Sequence, residues 1–306
     1  MTVLVSALFF SVGFVPPQPT PAFSKLDLPG LPNVVEVHAK VLSGGQPEGE
    51  QAFARLAALG VKTIISVDGI KPDVESARKY GMRYVHLPHG YDGVPDNRAI
   101  ELAKAVRELP GRIYIHCHHG RHRSPAATAV ACVGAGLIEQ AVAENLLKTA
   151  GTSPHYLGLF DSARRSRRFN ATALDQLKVD YRETVPLPPL PKAMVEIDLL
   201  ADRISQAERQ SWKSAAADEK PPRHTVLLLR EQYRELLRDP AVAAKPPEFR
   251  SLLTEGEAKL GELEAQLCSS KSLNSPKPTD LWKNVQRNCA ACHARFRDVP
   301  QQLQKP

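Results

Sequence analysis

Residues 112–125 read Arg-Ile-Tyr-Ile-His-Cys-His-His-Gly-Arg-His-Arg-Ser-Pro. The first five, Arg112–His116, have the β-branched and aromatic character of a strand, and a helical pattern follows over 124–135. Cys117 closes the strand, Arg123 lies six residues on, and the helix begins there. That order makes an anion cradle. The N–H groups of residues 118–123 converge on one tetrahedral oxyanion, and the helix dipole adds positive potential. Arg123 adds two planar donors matched to phosphate oxygens, which a lysine lacks. The same field favours Cys117 as a thiolate nucleophile, with Ser124 placed to donate to its sulfur. Gly120 permits a turn that a side chain would obstruct. Cys117, Arg123 and Ser124 are therefore candidate catalytic residues. His118, His119, Gly120, Arg121, His122 and Arg123 are the candidate substrate-binding loop.

Outward from this loop, strand and helix patterns alternate. Residues 34–38, 40–43, 61–67 and 82–87 read as strands, and 48–59, 73–80 and 97–109 as helices. Alternation of this kind predicts an α/β domain with a mainly parallel sheet flanked by helices. Beyond Met194 the pattern changes to threes and fours: Met194, Ile197, Leu200, Ile204 and Ala207, then residues 225–238, 249–267 and 279–297. Four amphipathic helices with short proline-rich loops describe an all-α four-helix bundle. Prolines cluster over 16–32 and again over Val185–Pro191. The expected division is a leader at 1–22, a catalytic domain at 33–183, a stiff linker at 184–193 and the bundle at 194–306.

The run His116-Cys117-x-x-Gly120-x-x-Arg123-Ser124 resembles the signature of the protein tyrosine phosphatase superfamily, and every fixed position is matched. The length of the domain is similar to the compact dual-specificity group and its bacterial relatives. The resemblance implies hydrolysis of a phosphate monoester, on a protein or a small molecule, through a phosphocysteine. Such chemistry needs a carboxylic acid to protonate the leaving oxygen and then to activate water. In the family this acid sits on a loop between a strand and a helix, here residues 86–99. Asp92, between Tyr91 and Gly93, is the first candidate. Asp96 reads as a helix cap, and Asp68 as the first residue of an Asp-Gly turn. A rhodanese-like sulfur carrier also ends a strand with cysteine, but Ser124 and the acid-bearing loop favour the phosphatase reading. Side chains of such loops point outward, so the three histidines 118, 119 and 122 do not by themselves suggest a metal.

Near the C-terminus stands Cys289-Ala-Ala-Cys292-His293. Cys-x-x-Cys-His is the attachment pattern for one c-type haem: two thiols add to the vinyl groups and the adjacent imidazole ligates iron. Placed on the last helix of a bundle, it is similar to cytochrome c′ and its low-spin relatives. That resemblance implies His293 as proximal ligand and offers Met194, on the first helix of the bundle, as a distal one. Core packing is the ordinary alternative for Met194. The resemblance further implies a redox partner, and bundles of this kind form dimers.

The chain has 306 residues, 42% hydrophobic and 24% charged, which excludes a disordered or polytopic membrane protein. Its formal charge is +7, and from Met194 onward 18 Lys and Arg face 16 Asp and Glu, so the excess lies mainly in the first part. That suits an anionic substrate and is too weak for nucleic acid. The first 15 residues are an apolar run too short to span a bilayer, without a basic start or a clear cleavage site. Together with the haem motif they predict an exported, periplasmic protein, tethered to the membrane if the leader is retained. A non-enzymatic haem sensor with an anion-binding cradle is the alternative function.

Overall fold

The computed structural model describes residues 23–213, 221–268, 276–300 and 303. The leader assigned to residues 1–22 lies outside them. Strands β1 (Ser24–Leu28), β2 (Leu31–His38) and β3 (Val41–Gly45) form an antiparallel meander. Strands β4 (Val61–Ser66), β5 (Arg83–His86) and β6 (Arg112–Cys117) are parallel to β3, in the order β1-β2-β3-β6-β4-β5. The predicted α/β class, with a mainly parallel sheet, is the one observed.

The start of the domain differs from expectation. β1 and the first residues of β2 precede residue 33, within the stretch read as a proline-rich spacer. Pro29-Gly30 is the reason: it turns a hairpin, with Gly30 at φ +77°, and locally such a pair resembles a linker.

Both sheet faces are buried, as strand alternation requires. Ile113, Ile115, Val35 and Ile65 face one core, and Tyr114, Val34 and Ile64 the other. Helices α1 (Glu50–Ala58) and α2 (Val74–Lys79) cover the second face. Asp73 caps α2 by accepting from Ser76 N at 3.1 Å. Helices α3 (Asp96–Glu108) and α4 (Arg123–Gly134) cover the first. All of α4 is buried, which its Ala, Gly and Val content allows by keeping the helix thin. Helices α5 (Ala143–Ala150), α6 (Leu157–Arg165) and α7 (Ala171–Gln176) complete this unit and carry no counterpart in the sequence reading.

The bundle consists of α8 (Pro189–Arg209), α9 (Pro222–Arg238), a short α10 (Pro240–Ala243), α11 (Pro247–Cys268) and α12 (Pro278–Phe296). Proline opens each helix, where its missing N–H costs nothing. For the same reason Pro189 and Pro191 belong to the first turn of α8, not to an extended linker, which shortens to residues 184–188. Ile204, Val226, Leu229, Leu260, Leu263 and Trp282 make the core. Trp282 Nε1 donates to Ser205 Oγ at 3.3 Å, joining α12 to α8. Among the described residues no helix is long and apolar enough to cross a membrane.

The two units touch at the C-terminal edge of the sheet. α8 packs on the turn after β4, where a Cβ on Gly69 would lie 2.8 Å from Val195 and 3.0 Å from Leu187.

Candidate active site

β6 lies between β3 and β4, so three parallel strands end together, Gly45 opposite Cys117 and Ser66 opposite His116. The loop 118–122 leaves that edge and enters α4, the place where open α/β sheets present ligands. Three of its carbonyls are held outward. His118 O accepts from Gln46 N at 3.0 Å, Gly120 O from Asn33 Nδ2 at 2.8 Å, and Arg121 O from Thr152 Oγ1 at 2.6 Å. In a planar trans peptide the following N–H points the opposite way, so the amides of His119, Arg121 and His122 face inward. Gly120 sits at φ +70°, and a Cβ there would overlap the backbone nitrogen of Gly45. Only glycine lets the loop lie this close to β3.

Cys117 is 3% exposed and its Sγ lies 3.3 Å from Ser124 Oγ. Ser124 Oγ also stands 2.9 Å from the Gly44 carbonyl, so its single proton faces two acceptors. Arg123 is buried at the start of α4. Its Nη2 donates to Asp68 Oδ2 at 2.8 Å, whereas no acceptor among the described residues meets its buried Nε. A buried guanidinium with one donor unmatched is arranged for an anion.

Asp68 follows β4 and reaches into the cradle. Oδ2 accepts from His118 N at 2.6 Å as well as from Arg123, and Oδ1 accepts from Ile70 N at 2.9 Å. Burial favours its neutral acid, but the Arg123 charge and the N–H groups of Ile70 and His118 outweigh that and hold Asp68 below the usual carboxylate range. The turn role read from the sequence is present in the Ile70 contact, yet the larger role is to grip Arg123. The signal for it was the position of Asp68 at the end of the strand beside β6, which needs the strand order to interpret.

Asp92 lies half-buried on the loop between β5 and α3, its Oδ1 over Gly90, where a Cβ would overlap it. Asp96 does not cap. Pro95 holds the cap position and Asp96 is the exposed first residue of α3, where its charge suits the helix dipole. Tyr91, the neighbour of Asp92, faces the loop arginine: the Arg123 guanidinium lies 4.5 Å from the Tyr91 ring centroid. The Tyr91 and Tyr156 rings lie tilted against each other with centroids 4.9 Å apart, and the Tyr156 centroid is 4.6 Å from that of His122. Burial pushes Tyr91 up to about 12 and His122 down to about 4, so this wall stays uncharged at neutral pH. Neither tyrosine was singled out from the sequence.

The C-terminal unit adds three groups to this edge. Asp202 of α8 pairs with His118 Nε2 at 2.9 Å, Asp198 stands one turn earlier, and Arg297 lies 4.2 Å from the Tyr91 centroid. Cys117 and Cys132 are far apart in environment: Cys132 is fully enclosed in α4, and burial pushes its thiol up to about 12, as suits packing.

On α12, Cys289, Cys292 and His293 are half-buried at three- and four-residue spacing, hence on one face. The thiols are not paired in a disulfide, and Cys289 Sγ lies 3.3 Å from Tyr233 Oη. Burial, aided by Arg297, pushes His293 down to about 4, leaving a neutral imidazole. Two unlinked thiols and a neutral imidazole on one helix face fit a covalently held haem. Met194 is partly buried on α8 against the same core that holds Cys289 and Cys292.

No family model matches the chain, and no curated protein matches it. Several solved structures are similar to part of it. TpbA of P. aeruginosa, bound to pTyr, is 20% identical over 51% of this chain and 96% of its own, with a TM-score of 0.41. Tk-PTP, in a mutant form, is 13% identical over 43% and 93%, TM-score 0.36. PTPMT1, in complex with PI(5)P, is 17% identical over 42% and 91%, TM-score 0.33.

Proposed function

We propose that this chain is a cysteine-dependent phosphatase of the phosphotyrosine type, joined to a helical unit that holds one c-type haem. The observation that carries the first part is the cradle: Cys117 Sγ beside Ser124 Oγ, under a loop whose amides face inward and whose Arg123 is gripped by Asp68. The substrate phosphate takes the inward amides and the Arg123 Nε–H, while Asp68 keeps Nη2 and fixes the guanidinium plane. The Cys117 thiolate attacks phosphorus and the bond to the leaving oxygen breaks, that oxygen taking a proton from Asp92. Water then attacks the phosphocysteine and gives its proton to the Asp92 carboxylate. The P–S bond breaks, releasing inorganic phosphate and restoring the thiolate. Tyr91, Tyr156 and His122 wall the mouth with aromatic faces, which favours an aryl phosphate.

In the second part, Cys289 and Cys292 would carry the thioethers and His293 the proximal nitrogen, with Met194 as the distal candidate. The haem would supply a one-electron couple. Thioether attachment outside the cytoplasmic membrane and the apolar leader at 1–22 support export to a periplasm, where an electron partner would meet the bundle.

The experiment is hydrolysis of p-nitrophenyl phosphate and phosphotyrosine by the wild type, Cys117→Ser and Arg123→Ala. Both variants are expected to fall to background with unchanged far-ultraviolet dichroism. Turnover persisting in Cys117→Ser removes the covalent mechanism and favours a binding cradle. Asp92→Asn is expected to slow poor leaving groups much more than p-nitrophenol. Equal slowing passes the acid role to Asp96 or elsewhere.

A further inference from the structure

The three loop histidines alone gave no reason to expect a metal. The packing of α8 on the loop changes this. Asp202 sits 84 residues from His118 in sequence and 2.9 Å from its Nε2 in space. The His119 ring lies against His118, centroids 4.2 Å apart and planes tilted by 51°, and one ligating atom each from His118, His119 and Asp202 lie within 4.8 Å of one another. Asp198, one turn before Asp202, presents a second carboxylate close enough to interact electrostatically with both imidazoles. The remaining His118 nitrogen, Nδ1, is buried and has no hydrogen-bond partner among the described residues.

We propose that His118 and His119 of the anion loop and Asp202 of α8 form a site for one divalent transition-metal ion, which ties the C-terminal unit to the catalytic edge. Ligand atoms around a tetrahedral zinc at about 2.1 Å stand roughly 3.4 Å apart. The His118–Asp202 pair is already inside that spacing, and the third ligand has to close by at most about 1.4 Å, within the reach of side-chain rotation. Two imidazoles and a carboxylate select zinc, cobalt, nickel or copper over calcium and magnesium. His119 is exposed, so an ion reaches the site without opening either core. Asp198 or water takes the fourth position. A plain ion pair between His118 and Asp202, with His119 as bystander, is the competing account, and it predicts no metal dependence.

The site does not depend on the phosphatase reading, and its test measures binding. Zinc is titrated by calorimetry into the EDTA-stripped full chain, for the wild type, His119→Ala, Asp202→Asn and, as a control, His155→Ala at an exposed histidine. The expected result is one binding event that weakens at least about tenfold in His119→Ala and in Asp202→Asn and is unchanged in His155→Ala. Any binding at Cys289 and Cys292 survives all three substitutions and is thereby told apart. Zinc affinity equal to wild type in His119→Ala and Asp202→Asn overturns the proposal. Zinc K-edge absorption of the wild-type complex gives a check independent of how the variants fold. Nitrogen and oxygen ligands with two imidazoles support the site, and a zinc shell made only of sulfur and His293 overturns it.

Discussion

The guanidinium of Arg297 lies 4.2 Å from the centroid of the Tyr91 ring, and the Arg123 guanidinium lies 4.5 Å from the same centroid. A residue just past α12 thus shares an aromatic surface with the arginine of the anion loop. Arg297 Nη2 also reaches Tyr156 Oη at 3.4 Å, and its partner Asp298 only partly offsets its charge. The Arg297 guanidinium, its charge reduced by Asp298, which its Nε meets at 2.6 Å, attracts a dianionic phosphate by about 1 kcal/mol at most across several ångströms of protein and water, up to roughly fivefold in rate. Arg297→Ala is therefore expected to lower kcat/KM for p-nitrophenyl phosphate by up to about fivefold at low ionic strength. The deficit should shrink in high salt, where the charge is screened. Equal kcat/KM at low salt would show that Arg297 only packs.

Asp68 and Arg123 form a pair with both side chains almost wholly buried. Removing one partner of such a pair leaves the other charge uncompensated, at a cost of about 3 kcal/mol or more. Asp68→Asn should be destabilised by that order in urea unfolding and should lose turnover, since the guanidinium plane is no longer held. The carboxylate also holds the His118 N–H and the Arg123 Nη2 donor, and in Asp68→Asn both lose that charged partner and become open to an oxyanion. Saturating inorganic phosphate should then raise the melting temperature of Asp68→Asn more than that of the wild type. A phosphate response equal in the two proteins would show that Asp68 and the ligand do not address the same donors.

The loop itself was legible because everything that makes it is local. The Arg112–His116 strand, Cys117, Gly120, Arg123 and Ser124 lie within thirteen residues, and their spacing already specifies a turn around an anion. The bundle was legible for a similar reason, a helical repeat sustained over four segments. Asp68, Tyr91, Tyr156, Asp202 and Arg297 were not, because their roles arise from topology. Asp68 matters since β4 neighbours β6, and Asp202 matters since α8 lies across the sheet edge, neither of which spacing can reveal. The 16–32 stretch misled for the opposite reason: Pro29-Gly30 has linker composition, and only pairing of β1 with β2 shows it to be a hairpin turn. Residues 143–176 form three short helices that were not foreseen, each packed or capped by residues outside its own repeat.

Burial holds His89 down at about 4 against an ordinary value of 6.5, and its Nδ1 lies 2.8 Å from the Gly90 carbonyl. The folded state therefore keeps this imidazole neutral where the unfolded chain binds a proton. Between those two values the unfolded state carries more protons, so stability falls as pH falls from about 6.5 toward 4. At pH 5 the loss relative to pH 7 amounts to about 2 kcal/mol for this one group. His89→Gln cannot titrate and should flatten that part of the profile, even if it lowers stability at pH 7. Urea unfolding of both proteins at pH 7 and pH 5 measures the difference, and parallel losses would clear His89 of the role.

Removal of the residues proposed to hold haem tests the second half of the reading. Cys289, Cys292 and His293 share one face of α12, so both thiols and the imidazole could meet a single prosthetic group without distorting the helix. Expressed with a haem-attachment system, the wild type should keep its pigment through denaturing electrophoresis, because thioethers survive unfolding. Cys289→Ser combined with Cys292→Ser should lose it, and either single substitution should retain it through one remaining bond. Met194→Leu should change the ferric spin state if the methionine completes the coordination, and leave it unaltered if Met194 only fills the core. The Cys117 site belongs to another core, built on β6 and α4, so the double variant should keep its p-nitrophenyl phosphate turnover. Pigment that stays bound after denaturation of the double variant, or a wild type that never acquires it, would dismiss Cys289 and Cys292 as attachment points and leave them as packing residues beside Tyr233.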